Sequence, residues 1–253
     1  MYVDCDGLDR SFMLWVLLGF VLKEKIDFMH VLLFDIDGTL IDAGGAGQAA
    51  MEDALELEFG ARRPVSGIST AGRTDRAIAM DLFRLYELNV TDEHWSRYQA
   101  TYFRLLPDSL KTRSGRVLPG VPQLLAKLRE RDDVLLGLLT GNFAEGARLK
   151  LSHYGLIEHF QLGGYGDRHL DRDDVAREAL EAVRAHHPDY HLERVWVIGD
   201  TPSDIRCGRA INAKVMAVST GMFSSEELEQ HRPDVLLSDF SQPEHWMKSV
   251  GLL

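Results

Sequence analysis

Cysteine is scarce. Cys5 and Cys207 are the only two among 253 residues, with no Cys-x-x-Cys pair and no His/Cys ligand spacing. A disulfide framework and a structural zinc site are therefore excluded, and a reducing, cytoplasmic compartment fits best. Positive charge is short as well: 28 Lys and Arg stand against 39 Asp and Glu, for a formal net charge of −11. So acidic a surface repels a phosphodiester backbone, which argues against nucleic-acid binding. A membrane-length apolar run is missing too. Phe12–Leu22 has 11 residues, whereas a bilayer span needs roughly 20. The acids Asp4, Asp6 and Asp9 precede it with only Arg10 opposing, and no Ala-x-Ala site follows, so neither a signal peptide nor stable membrane insertion is expected. Residues 1–28 read as an N-terminal extension ahead of an alternative start at Met29. The competing reading is an apolar hairpin docked on the core or on a membrane surface.

What is present is ordinary globular composition, 45% hydrophobic and 26% charged. At about 150 residues per domain, the length suggests one main domain plus something smaller. From Met29 onward, short and continuously apolar runs at Val31–Phe34, Val134–Leu139, Val195–Ile198, Val215–Val218 and Val235–Leu237, with a weaker one at Phe160–Leu162, alternate with helical patterns. Such runs suit strands buried on both faces. The alternation predicts an α/β fold, a doubly wound parallel sheet with helices on both sides and ligands at the carboxyl ends of its strands.

One stretch breaks the rhythm. About 100 residues separate the first two strands and read as helices at Gln48–Phe59, Thr74–Leu88 and Asp92–Leu105, entered through Ala43-Gly44-Gly45-Ala46-Gly47 and left through Ser114-Gly115-Arg116-Val117-Leu118-Pro119-Gly120. An inserted helical cap domain over residues 44–115, within a core of residues 29–43 and 116–253, is the simplest account.

Chemistry is written at three strand ends. Asp35 and Asp37, in Asp35-Ile36-Asp37-Gly38-Thr39-Leu40, would share one side of an extended chain, where a proton or a cation must relieve their repulsion. Asp200 ends Val195–Ile198-Gly199, followed by Thr201-Pro202-Ser203-Asp204, a helix start in which Thr201 caps and Asp204 stands at the third position. Asp204 therefore reads either as a helix cap or as a supporting residue of a metal site. Asp35, Asp37 and Asp200 form an oxygen-rich set of the kind Mg²⁺ takes. Thr140-Gly141-Asn142 ends Val134–Leu139. There Asn142, with Glu145 three residues on, looks like a helix cap whose amides could bind an anion.

These motifs, in this order, resemble the haloacid dehalogenase-like (HAD) superfamily across residues 29 to about 240, and within it the phosphoglycolate-phosphatase-like enzymes. The resemblance implies a Rossmann-like core with a helical cap between the first and second motifs. It implies a hydrolase of phosphoric monoesters that works on a small phosphorylated metabolite such as phosphoglycolate or a sugar phosphate. Asp35 would be the nucleophile and Asp37 the general acid and base. The Asp35 and Asp200 side chains with the Asp37 carbonyl would hold Mg²⁺, and Thr140, Gly141 and Asn142 would bind phosphate. The family's usual lysine is absent between Lys150 and Lys214, so an arginine must serve; among Arg168, Arg172 and Arg177, Arg172 is chosen because it begins a helical pattern 28 residues before Asp200.

Arg73, before a helix that Thr74 would cap, is a candidate substrate contact or else a solvent-exposed side chain. His186, His187 and His191 surround Pro188 in what reads as an exposed loop rather than a metal cluster. Gly45-x-Gly47-x-x-Ala50 matches a dinucleotide fingerprint in spacing alone, lying far from its strand with no acidic strand end beyond. Asp at 37 argues against a dehalogenase. The lack of lysine between Lys25 and Lys111 argues against a phosphonate hydrolase of this superfamily. The alternative functions are a phosphomutase and a non-catalytic phosphoryl-binding domain. Oligomeric state is open.

Overall fold

The computed structural model describes residues 29–61, 68–188 and 194–253. The apolar run of the first 28 residues and His191 lie outside the described residues. Six strands form one sheet: β1 (His30–Phe34), β4 (Val134–Leu139), β5 (Leu162–Gly164), β6 (Val195–Gly199), β7 (Lys214–Val218) and β8 (Val235–Leu237). Their order is β5-β4-β1-β6-β7-β8 and every pairing is parallel. The first strand is thus central, flanked by the two strands that carry the other polar tips. Register makes those tips level, because Phe34 pairs with both Leu138 and Ile198.

Period-two alternation splits the strands between two cores. Leu32, Phe34, Leu136, Leu138, Trp196 and Ile198 face one way, toward α4 (Val121–Arg129), α5 (Ala144–His153) and α9 (Pro243–Ser249). Val31, Leu33, Leu135, Leu139, Val195 and Val197 face the other, toward α6 (Arg172–His186) and α7 (Pro202–Ala210), while Leu228 of α8 (Ser225–Gln230) packs with Val215 and Ala217 of β7. The fold is therefore the doubly wound α/β sheet that the apolar runs predict. Among the described residues no helix is long and apolar enough to cross a membrane.

Between β1 and β4 lie three further helices, α1 (Ala46–Phe59), α2 (Asp75–Leu85) and α3 (Asp92–Thr112). The chain enters and leaves this insertion through β2 (Ile41–Asp42) and β3 (Arg116–Val117), which pair as an antiparallel ribbon. Helix α3 runs seven residues past the expected Leu105. Buried Tyr98, Tyr102, Leu106 and Leu110 recur every four residues and carry the helix through Pro107. The weak strand sits two residues later than its apolar signal. Gly163 and Gly164 belong to it, and a side chain on Gly164 would strike the Val175 carbonyl of α6.

Behind the central strand, Trp246 of α9 is fully buried and stacks on Phe34, with centroids 6.3 Å apart. Replacing Trp246 with Ala leaves a cavity there and should cost about 3–5 kcal/mol, read as a lowered urea midpoint.

Candidate functional site

At the carboxyl end of β1 the chain turns sharply. Gly38 takes φ 82°, and the amides of Thr39, Leu40 and Ile41 all return to the Ile36 carbonyl. The turn leaves Asp35 buried, its N–H bonded to the Ile198 carbonyl, while the Asp37 side chain is 41% exposed in a cleft. Asp200 lies across from it, accepting the Thr39 hydroxyl at 3.1 Å. A side chain at Gly38 or Gly221 would overlap the Asp200 carboxylate, so two loops close on that residue only because both carry glycine.

Carboxylate oxygens of Asp35, Asp200 and Asp204 lie within 4.8 Å of one another, all three buried. Arg172 sits among them. It donates to Asp35 at 3.4 Å, to Asp204, and to the Leu139 carbonyl at 3.2 Å. Arg177 instead pairs with Asp174, and Arg168 is exposed. Asp204 also caps α7: Thr201 and Asp204 exchange side chain to backbone bonds in a capping box. Burial pushes the Asp35 carboxyl up to about 7; Arg172 opposes this, and Asp204 and Asp37 add to it. Burial likewise raises Asp200 well above the usual range, with Asp204 and Asp35 adding their repulsion. Burial alone would lower Arg172, but the Asp35 and Asp204 carboxylates outweigh it and strengthen its hold on its proton. Three buried carboxylates, only two of them bonded to the guanidinium, make an all-oxygen donor set that fits a hard divalent cation.

The tip of β4 differs from expectation. Asn142 does not cap α5, whose first residue follows Phe143. Its side chain turns into the cleft instead, donating to Asp37 Oδ2 at 2.9 Å and to the Thr140 hydroxyl at 2.8 Å. Nor are the first amides of α5 open to an anion. Phe143 N–H donates to Asp75 Oδ2 at 2.9 Å and Ala144 N–H to Asp167 Oδ2 at 2.8 Å, so two carboxylates already occupy that helix start. Thr140 is wholly buried, and Gly141 lines the cleft with an N–H that no described residue accepts.

Two residues of consequence escape a linear reading. Lys150 reaches Asp37 Oδ2 and Asn142 Oδ1, both at 2.6 Å, with its side chain only 5% exposed. Burial would lower its pKa, but Asp37 and Asp75 outweigh that and leave it raised. The available signal was its place on the buried stripe of α5, beside Gly146, Ala147 and Leu151. Asp75, at the start of α2, donates its N–H to the Gly141 carbonyl at 2.7 Å and tethers the insertion to the β4 tip. Burial raises its carboxyl to about 6.

The cleft between insertion and sheet has a volume of about 470 Å³. Arg73 lines it, yet its guanidinium is held within the insertion by Asp81 at 2.7 Å and by the Ser69 carbonyl. Thr74 caps α2 as its sequence context predicts.

The family model for haloacid dehalogenase-like hydrolases matches residues 32–209. The chain belongs to that family. Within it the chain is phosphoglycolate-phosphatase-like. A phosphoglycolate phosphatase of Nitrosococcus oceani is 24% identical over 82% of this chain and 92% of its own. That of Synechococcus elongatus is 27% identical over 83% and 92%. In fold, the structure of CbbY from Rhodobacter sphaeroides in complex with phosphate superposes with a TM-score of 0.65 at 16% identity, over 85% of this chain and 96% of that one.

For this haloacid dehalogenase-like hydrolase a pH dependence follows. An unfolded chain releases its Asp protons near ~3.9, whereas folded Asp35 keeps its proton to about 7. Between those values the folded state binds more protons, so the contribution of Asp35 to stability falls as pH rises. In cation-free buffer, wild type should therefore lose stability relative to Asp35→Asn between pH 5 and pH 8, measured as the difference in urea midpoints.

Proposed function

We propose that the chain hydrolyses a small phosphomonoester, phosphoglycolate-like or a sugar phosphate, through an aspartyl-phosphate on Asp35, with Mg²⁺ as cofactor. The observation that carries this reading is the meeting of Asp35, Asp37, Asp200 and Arg172 at one end of the sheet, delivered by separate segments of the chain. The Asp35 and Asp200 side chains and the Asp37 main-chain carbonyl would hold Mg²⁺, which, when bound, offsets the repulsion between a carboxylate and a phosphate.

Asp35 Oδ attacks phosphorus while the ester P–O bond breaks, and Asp37 gives its proton to the departing alcohol oxygen. Asp37, now a carboxylate, takes a proton from water as that water attacks the aspartyl-phosphate. The bond from phosphorus to Asp35 breaks, and phosphate leaves. Arg172 serves where the family usually has lysine. Its planar fork already spans Asp35 and Asp204, and it keeps its charge throughout the cycle. Asp204 fixes that fork. Thr140, Gly141 and Asn142 contact the phosphate, the Gly141 N–H being suited to a phosphate oxygen. The insertion, residues 44–115, acts as a cap that excludes water, and Arg73 stands on its inner wall beside the leaving group. A cleft of about 470 Å³ admits a sugar phosphate as readily as phosphoglycolate. The cytoplasm is the compartment proposed.

A panel of phosphoglycolate, sugar phosphates and nucleotides should show phosphate release with Mg²⁺ that EDTA abolishes, and Asp35→Asn should lower kcat by roughly 10³-fold or more. Turnover that survives EDTA would overturn the metal assignment. A bisphosphate product in place of free phosphate would make the enzyme a mutase.

A further inference from the structure

Lys150 is a buried ammonium for which packing supplies no reason. It lies on the inner stripe of α5 among Gly146, Ala147 and Leu151, where an apolar side chain of similar length would fill the same space. Burying a charge is costly unless it is paired and hydrogen-bonded. Here the pairing is specific. Two of the three ammonium protons point at Asp37 Oδ2 and Asn142 Oδ1, each at 2.6 Å. Asn142 closes the triangle by donating from Nδ2 to the same Asp37 oxygen at 2.9 Å, and a second proton of that amide is anchored on the Thr140 hydroxyl at 2.8 Å. Helix α1 covers the group from the insertion: a Cβ added at Gly47 would come within 3.2 Å of the ammonium.

Both bonds to Asp37 fall on Oδ2, and none from the described residues reaches Oδ1. We infer that Lys150 is a positioning residue for the reaction, pinning Oδ2 so that Oδ1 is the atom that passes the proton to the leaving group. Resting on the phosphomonoesterase reading above, the inference gives Lys150 a task distinct from that of Arg172, which bonds Asp35 and Asp204 rather than Asp37. Without Lys150, a carboxyl group that is 41% exposed is held by the Asn142 amide alone, whose own oxygen has lost its partner, and protonation of the leaving oxygen loses its geometry. The nucleophilic attack by Asp35 does not depend on it.

That separation defines the test. Benzyl phosphate and p-nitrophenyl phosphate are similar in size, but benzyl alkoxide needs a proton to depart and p-nitrophenolate does not. With Mg²⁺ present, Lys150→Met should lose roughly 10²-fold in kcat on the benzyl ester and less than about 10-fold on the aryl ester, the range expected when general-acid assistance is removed. Lys150→Arg, which keeps the charge and its donors, should recover part of the benzyl-ester turnover and serves as the folded partner if the Met variant does not fold. Equal losses on the two esters in Lys150→Met, or in Lys150→Arg if only that variant folds, would overturn the inference, as would no loss on either. Asp35→Asn separates this from failure of the underlying reading: if that variant turns over both esters at the wild-type rate, it is the nucleophile assignment that falls.

Discussion

The arrangement at the end of the sheet depends on one guanidinium held among buried carboxylates. The buried carboxylates of Asp35, Asp200 and Asp204 crowd within a few ångströms, and Arg172 relieves the repulsion by bonding two of them, Asp35 and Asp204. Removing one member of such a buried group typically costs about 3–5 kcal/mol, because the others are left uncompensated. The same contact ties together three distant parts of the chain: the end of β1, the start of α6 and the first turn of α7.

Around that contact the polar groups fall into two layers. The lower layer comprises Arg172, Asp204 and the Thr201 cap, all closed off from solvent. The upper layer comprises Asp37, Asn142 and Lys150, all lining the cleft, with Asp37 the most exposed of the three. Asp35 stands between them. The sheet's parallel register makes this layering possible, since it places three strand ends at one height and lets each contribute a different chemical group.

Much of this could be read from the linear chain. Continuous apolar runs gave away β4 and β8 to the residue, and the acids that end β1 and β6 stood out because no apolar core tolerates them. Arg172 could be singled out because the family resemblance implies a basic residue there, no lysine is on offer, and it stands at a helix start. The rest was hidden for specific reasons. Lys150 looks like any helix-surface lysine until the phase of α5 is known, and the family resemblance points past it to Arg172. Asn142 carries every local mark of a cap, but a cap bond competes with Asp37 and Lys150, which are contributed from 105 residues before it and eight after it. Asp75 is invisible for the same reason, because its partners lie 66 and 68 residues downstream. Strand β5 was misplaced because two glycines carry no hydropathy signal, although it is their bareness that lets α6 pack so closely.

The tether at Asp75 has a consequence for how such chains diversify. Helix α5 begins in the sheet domain, yet a carboxylate from the insertion completes its first turn. The insertion is therefore not an interchangeable module. A shortened or transplanted version would leave a bare amide at the very turn that faces the reaction centre, and recombination between relatives would succeed only where the incoming segment brings its own acid to that spot.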